Sequence, residues 1–270
     1  MNIKLIAMDM DGTLFRDDHR TISPRTLTAL REAADRGVHL VLASGRAKLM
    51  MEEAADVLGG VRYLVTASGA AVWDRETGEQ LEERAIGPET SLAFLRGLDG
   101  LDLPMEVYCE GRVYIARRHW LLPEQRPEEF WRLRRTFVTQ VDSLPQALAG
   151  RRLEKVDLEG LDAEGREKVL RLAGDLGGLR ASVSAHGAEL CRADVDKGSA
   201  LAALCARLGV APGQDMAFGD GDNDRQMLAW AGWSFAMGNA VAPAKAAARY
   251  ETADNESDGI ALAVERYVLG

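Results

Sequence analysis

The chain has 270 residues, 47% of them hydrophobic, and its 33 basic and 42 acidic side chains give a net charge of −9. That length holds one large domain or two smaller ones around a real core, and the acidic balance argues against the basic face that non-specific nucleic-acid binding needs. No run approaches the roughly 20 apolar residues of a membrane span, and Asp9 and Asp11 interrupt the first apolar stretch, so neither a membrane partner nor a signal peptide is expected.

Cys109, Cys191 and Cys205 are widely spaced and form no CxxC pair, as expected of reduced, buried thiols in a cytoplasmic protein. Ile3–Met8 reads as a buried strand. Ser23 and Pro24 then open a helix, as an N-cap and a first-turn proline. Its apolar face carries Leu27, Leu30 and Ala34, and it ends at Gly37. Val38–Ala43 is a second apolar strand, closed by Ser44-Gly45-Arg46, and Ala47–Leu58 is helical. Tyr63–Thr66 is a third strand, closed by Ala67-Ser68-Gly69. This βαβαβ order predicts a parallel sheet with right-handed crossovers.

The middle of the chain changes texture. Met105–Tyr108 and Arg112–Ala116 flank Glu110-Gly111, a hairpin signal. A helix is expected around Pro127–Arg135, a strand over Leu153–Leu158 and an amphipathic helix over Ala163–Leu176. Two further strands, Ala181–Ser184 and Glu189–Arg192, meet around His186-Gly187. Hairpins mixed with helices predict an α+β module with an antiparallel sheet. The first texture then returns: a helix over Gly198–Leu208, a strand over Met216–Phe218, a helix over Arg225–Ala231, and strands over Trp233–Met237 and Tyr250–Ala253. The Ala-rich stretch from Ala236 to Ala248 reads as a turn followed by a helix. The expected fold is an α/β core of residues 1–85 and 193–270, split by an inserted α+β module at 86–192 with hinges at its exits.

Four segments fall where core strands end or a core helix begins. They are Asp9-x-Asp11-Gly-Thr13, Ser44-Gly45-Arg46, Asp196-Lys197-Gly198 and Gly219-Asp220-x-x-Asn223-Asp224. Strand ends of a parallel sheet share one edge, so these segments can converge. Clustered carboxylates repel unless a cation joins them. With no His or Cys among them, a hard, oxygen-preferring cation is expected, and Mg²⁺ fits best. A metal, Lys197 and glycine-flanked amides make a site for a phosphoryl group. One carboxylate can then attack phosphorus in line while a second manages protons.

These segments, in this order, resemble the haloacid dehalogenase (HAD) superfamily, and the large insertion between the second and third resembles the Cof-type, class IIB phosphatases. Ala236-Met-Gly-Asn239-Ala and Asn255-Glu-Ser-Asp-Gly259-Ile look like that group's closing motifs. The resemblance implies a HAD-type Rossmann-like core with a mobile cap. It implies Asp9 as nucleophile and Asp11 as general acid, then base. Mg²⁺ would be held by Asp9, the backbone carbonyl of Asp11, and Asp220. Ser44 with the Gly45 amide, and Lys197, would hold the phosphoryl oxygens. Asn223 and Asp224 would fix Lys197 and metal-bound water around them, with Asn223 also counted among the phosphate-binding residues. Arg46 either reaches substrate or pairs with an acidic neighbour. The family commonly has Asn-Gly-Ala where this chain has Ser68-Gly69-Ala70, so Ser68 is a candidate substrate contact with shorter reach. Related members that store the phosphoenzyme carry Thr where Asp11 stands, so Asp11 favours hydrolysis.

Each motif alone has a plainer reading. Asp220, Asp222 and Asp224 alternate like a calcium loop, but an EF-hand needs Gly and Glu where Arg225 and Ala231 stand. His19, His39, His119 and His186 are scattered and form no metal set. Arg117, Arg118, His119 and Trp120 read as a solvated edge of the inserted module, and Trp230 and Trp233 as core. The combined reading is a Mg²⁺-dependent phosphatase acting on a small-molecule phosphate ester such as a sugar phosphate, monomeric or a small homo-oligomer. A phosphomutase of the same class and a non-catalytic metabolite sensor are the rival readings.

Overall fold

The computed structural model describes residues 2–99, 103–120, 134–184 and 187–270. They divide into two compact units, Met1–Glu82 with Asp196–Gly270, and Glu83–Val195.

In the first unit, β1 (Leu5–Met8), β2 (His39–Ala43) and β3 (Val61–Thr66) are almost entirely buried. Apolar runs of this kind suit a parallel sheet covered on both faces. Helices α1 (Pro24–Asp35) and α2 (Lys48–Leu58) link them. The Ser23 side chain accepts from the Thr26 amide, and proline occupies the first turn of α1, as the sequence predicts. Beyond β3, the chain turns back into β4 (Ala71–Asp74), antiparallel to β3, and then β5 (Gln80–Glu83). These two strands were not foreseen. Each is only four residues long, too short for alternation to stand out.

The second unit holds α3 (Pro88–Leu98), the hairpin of β6 (Met105–Cys109) and β7 (Arg112–Ala116), β8 (Val138–Val141) and α4 (Leu144–Ala147). It continues through β9 (Lys155–Glu159), α5 (Ala163–Leu176), β10 (Leu179–Val183) and β11 (Gly187–Arg192). Its sheet runs β10-β11-β9-β6-β7-β8 and is antiparallel except for β7 with β8. One sheet face packs with the helices into a core that includes Phe94, Leu98, Val107, Val156, Val169 and Leu190. The expected helix around Pro127–Arg135 lies mostly outside the described residues, as does His186. His119 and Trp120 are buried, so only Arg117 and Arg118 fit the solvated edge.

The chain then completes the first unit with α6 (Lys197–Leu208), β12 (Asp215–Gly219), α7 (Arg225–Trp230), β13 (Trp233–Ala236), α8 (Ala242–Ala247), β14 (Tyr250–Glu251) and α9 (Gly259–Val264). The sheet order is β14-β13-β12-β1-β2-β3-β4-β5, parallel from β14 to β3. Met8 pairs with both Phe218 and Leu42, and Ala43 with Val65, so β1, β2, β3 and β12 end at one level. Trp230 is exposed rather than core, and Trp233 is half-buried, stacked on Tyr250.

Candidate active site

The shared edge of β12, β1, β2 and β3 is where the predicted residues gather. The Asp9 amide donates to the Phe218 carbonyl at 3.1 Å, tying the residue after β1 to β12. The chain then makes a wide turn over Met10–Leu14, with Gly12 at φ +78°. A Cβ on Gly12 would lie 2.4 Å from Asp220 Oδ2. Glycine is therefore required twice, for the left-handed backbone and for the close approach.

Lys197 opens α6, whose N-cap Asp196 accepts from the Ser199 amide at 2.7 Å. The lysine is fully buried, and its Nζ donates to Asp9 Oδ1 and Asp224 Oδ1, each at 2.6 Å. Asp224 Oδ2 accepts from the amides of Asp220 and Gly221 at 3.0 and 2.9 Å. Asp220 Oδ1 accepts from the Thr13 hydroxyl at 2.7 Å. Thr13 closes the first motif, and its role in aiming Asp220 was not foreseen.

Ligand oxygens of Asp9, Asp220 and Asp224 lie within 4.8 Å of one another. Both oxygens of Asp224 are already engaged, which fits a supporting place rather than a metal ligand. Asp9 Oδ2 and Asp220 Oδ2 carry no hydrogen bond among the described residues. Three carboxylates face one ammonium, so the pocket holds excess negative charge that a divalent cation would offset. The free donors are hard oxygens.

Burial pushes the Asp9 carboxyl up to about 7; the Lys197 ammonium opposes this shift, while Asp224 and Asp220 add to it. Asp220 is also raised, chiefly by burial. Burial works to lower the Lys197 ammonium, but the Asp224 and Asp9 carboxylates outweigh it and hold the amine charged.

The Asp11 side chain has different partners. It receives Arg46 Nε at 3.0 Å and Nη2 at 2.6 Å, and His19 Nδ1 lies 3.2 Å from it. Of the two expectations for Arg46, the structure shows the acidic neighbour. His19, in a left-handed turn at φ +56°, was not singled out by the sequence.

Ser44 is buried after β2, with Gly45 half-buried beside it. The Ser44 carbonyl accepts from the Ser68 amide at 3.0 Å, and the Arg46 carbonyl from the Ala67 amide at 2.9 Å. Ala67, Ser68 and Gly69 all have positive φ, and a Cβ on Gly69 would come within 2.2 Å of the Asp196 carbonyl oxygen. This loop therefore packs directly on the start of α6. Asn223 departs from expectation: its side chain is exposed against Gly221, and the Lys197 amine is held by Asp9 and Asp224 instead.

Comparison with known proteins gives a consistent result. The model of the haloacid dehalogenase-like hydrolases matches residues 6–264. The 5-amino-6-(5-phospho-D-ribitylamino)uracil phosphatase of Bacillus subtilis is 30% identical, the match covering 100% of this chain and 97% of the relative. The HMP-PP phosphatase of Klebsiella pneumoniae is 32% identical over 90% of this chain and 87% of its own. A solved HAD subclass IIB sugar phosphatase, 22% identical, shares the fold with a TM-score of 0.76 over 98% of each chain.

Proposed function

Because the chain belongs to the haloacid dehalogenase-like hydrolases, we propose that it is a Mg²⁺-dependent phosphatase that hydrolyses a small phosphate monoester through an aspartyl-phosphate on Asp9. The observation that carries this reading is the buried Asp9 carboxylate, with one oxygen on Lys197 and the other open beside Asp220. Asp9, Asp220 and the backbone carbonyl of Asp11 would hold the cation, which when bound supplies charge neutralisation for the incoming phosphoryl group.

The chain's own residues do the rest. Lys197 and the Ser44–Gly45 segment bind phosphoryl oxygens. An Asp9 oxygen attacks phosphorus, the bond from phosphorus to the ester oxygen breaks, and Asp11 gives its proton to the departing alkoxide. Asp11 then takes a proton from water, whose oxygen attacks the same phosphorus. The bond from phosphorus to Asp9 breaks, releasing inorganic phosphate and restoring the Asp9 carboxylate and the Asp11 carboxylic acid. Arg46, forked onto Asp11, fixes the orientation of that proton carrier. Residues 86–192 serve as the cap domain.

The substrate class is a small metabolite ester, a sugar phosphate or a related compound. Its support is the relatives' small phosphorylated substrates, which differ among themselves, so no single one is carried over. The deciding experiment screens purified protein against a panel of phosphate monoesters with Mg²⁺ and with EDTA. Release of inorganic phosphate only with Mg²⁺, abolished by Asp9→Asn without loss of fold, is the expected result. An isomerised ester with little free phosphate would mean a mutase, and no turnover of any ester would mean a sensor. Full activity of Asp9→Asn would end the mechanism.

A further inference from the structure

The two closing motifs, around Asn239 and Asn255, have no part in the chemistry above, yet both reach the loop that carries Asp9 and Asp11. We propose that Asn239 and Asn255 are positioning residues that hold this loop in register with the loop carrying Asp220; the proposal rests on the phosphatase reading.

The turn after β13 is bonded to both loops. Its Met237 and Val241 amides donate to the carbonyls of Gly219 and Asp220, at 3.1 and 2.9 Å. From the same turn, Asn239 Nδ2 donates to the Gly12 carbonyl at 2.8 Å. One short segment therefore grips the Asp220 loop by main chain and the Asp9 loop by a side chain. Asn255 extends the grip. Its Nδ2 donates to the Phe15 carbonyl and to Asp17 Oδ1, both at 3.0 Å, and its own amide donates to Asn239 Oδ1 at 3.4 Å. The two asparagines are thus linked to each other as well as to the loop. The motif loops also meet closely, since a Cβ on Gly238 would lie 2.8 Å from the Asp254 amide nitrogen.

The chemistry of the side chain explains the choice of residue. A carboxamide offers two N–H donors and an acceptor at once, and Asn255 uses both donors on two acceptors. Aspartate has the same shape but offers acceptors only. The grip is needed because Gly12 lies past the end of β1, where no strand partner holds its carbonyl, and glycine restricts the backbone less than any other residue. Asp9 and Asp220 must face one cation and one phosphorus together, and displacement by about 1 Å at such a site costs roughly 100-fold in rate.

The test uses the full chain with Asn239→Ala, Asn255→Ala, the isosteric Asn255→Asp, and the double alanine variant. Turnover of p-nitrophenyl phosphate with Mg²⁺, thermal midpoint and backbone deuterium uptake are measured for each. We expect kcat to fall by about 10- to 100-fold with KM within about threefold, as for other groups that orient ligands. Uptake should rise in the peptide spanning residues 9–17 and not across β2 or β3. The double variant should lose little more than the worse single one, because the residues act as one unit.

Unchanged kcat in both alanine variants would overturn the proposal. So would a lowered midpoint with uptake rising throughout the core, which marks a merely structural role, or fully additive losses. Should Asn255→Ala fail to fold, the exposed Asn239 side chain still gives a clean variant. If the unaltered protein turns over no phosphate ester, the phosphatase reading fails. The uptake of residues 9–17 then decides the grip by itself: a localised rise supports it, and no rise overturns it.

Discussion

Lys197 has no exposed surface and sits between two carboxylates at 2.6 Å each. Removing its charge while keeping its bulk, in Lys197→Met, leaves Asp9 and Asp224 facing each other unpaired. We expect a loss of about 3–5 kcal/mol, read as a lower urea midpoint, together with loss of turnover. Arg46→Lys should behave differently. A point charge cannot reproduce the two-pronged bond to Asp11, so kcat should fall about tenfold or more while KM and stability hold, as steady-state kinetics and a melting curve would show. At this scale the sequence told much. Asp9, Lys197 and Asp220 stand at motif spacings that few other roles require. The partner of Arg46 was not legible, because it depends on a contact 35 positions back along the chain. His19 reaches Asp11 only through a left-handed turn that no local pattern announces.

Among the elements, the wide turn after β1 depends on one glycine. Gly12→Ala would strain a backbone at φ +78° and drive a methyl group to 2.4 Å from Asp220 Oδ2. Turnover should drop by roughly 100-fold or more, and Mg²⁺ titration of activity should shift to higher concentration. In the second unit, Glu154 steadies the β6–β7 hairpin, its Oε1 accepting from the Gly111 amide while Oε2 is buried with no partner among the described residues. Burial raises this carboxyl from 4.5 to about 7; the Gly111 amide opposes the shift, and Glu83 and Glu110 add to it. The folded state thus binds the proton more tightly than the unfolded one. The contribution is complete below about 4.5 and is lost as pH rises through about 7. Glu154→Gln should flatten that decline, gaining up to about 3 kcal/mol over the native protein at pH 8 and little at pH 4, by denaturant titration at both. Elements with caps and long periods, such as α1 and α5, were readable in advance. The strands β4 and β5 were not, since their placement comes from pairing back onto β3 rather than from any period of their own.

For the whole molecule, the apolar cluster of the second unit draws, among the described residues, only on those from 86 to 190. A fragment of residues 83–195 should therefore fold by itself and unfold cooperatively, as circular dichroism against temperature would reveal; a non-cooperative slope would count against it. The first unit is instead discontinuous in sequence, since its central strand pairs with β2 on one side and, on the other, with β12 from beyond the inserted unit. The partners Asp9 and Lys197 are 188 positions apart, and Gly12 and Asn239 are 227 apart. During synthesis, the inserted unit emerges whole while β1 still waits for its second neighbour. A ribosome paused before Lys197 thus carries Asp9 without the ammonium that pairs with it in the folded protein. That pair, and the bond from Asn239 to Gly12, can form only after the segment beyond the inserted unit threads its strands beside the first.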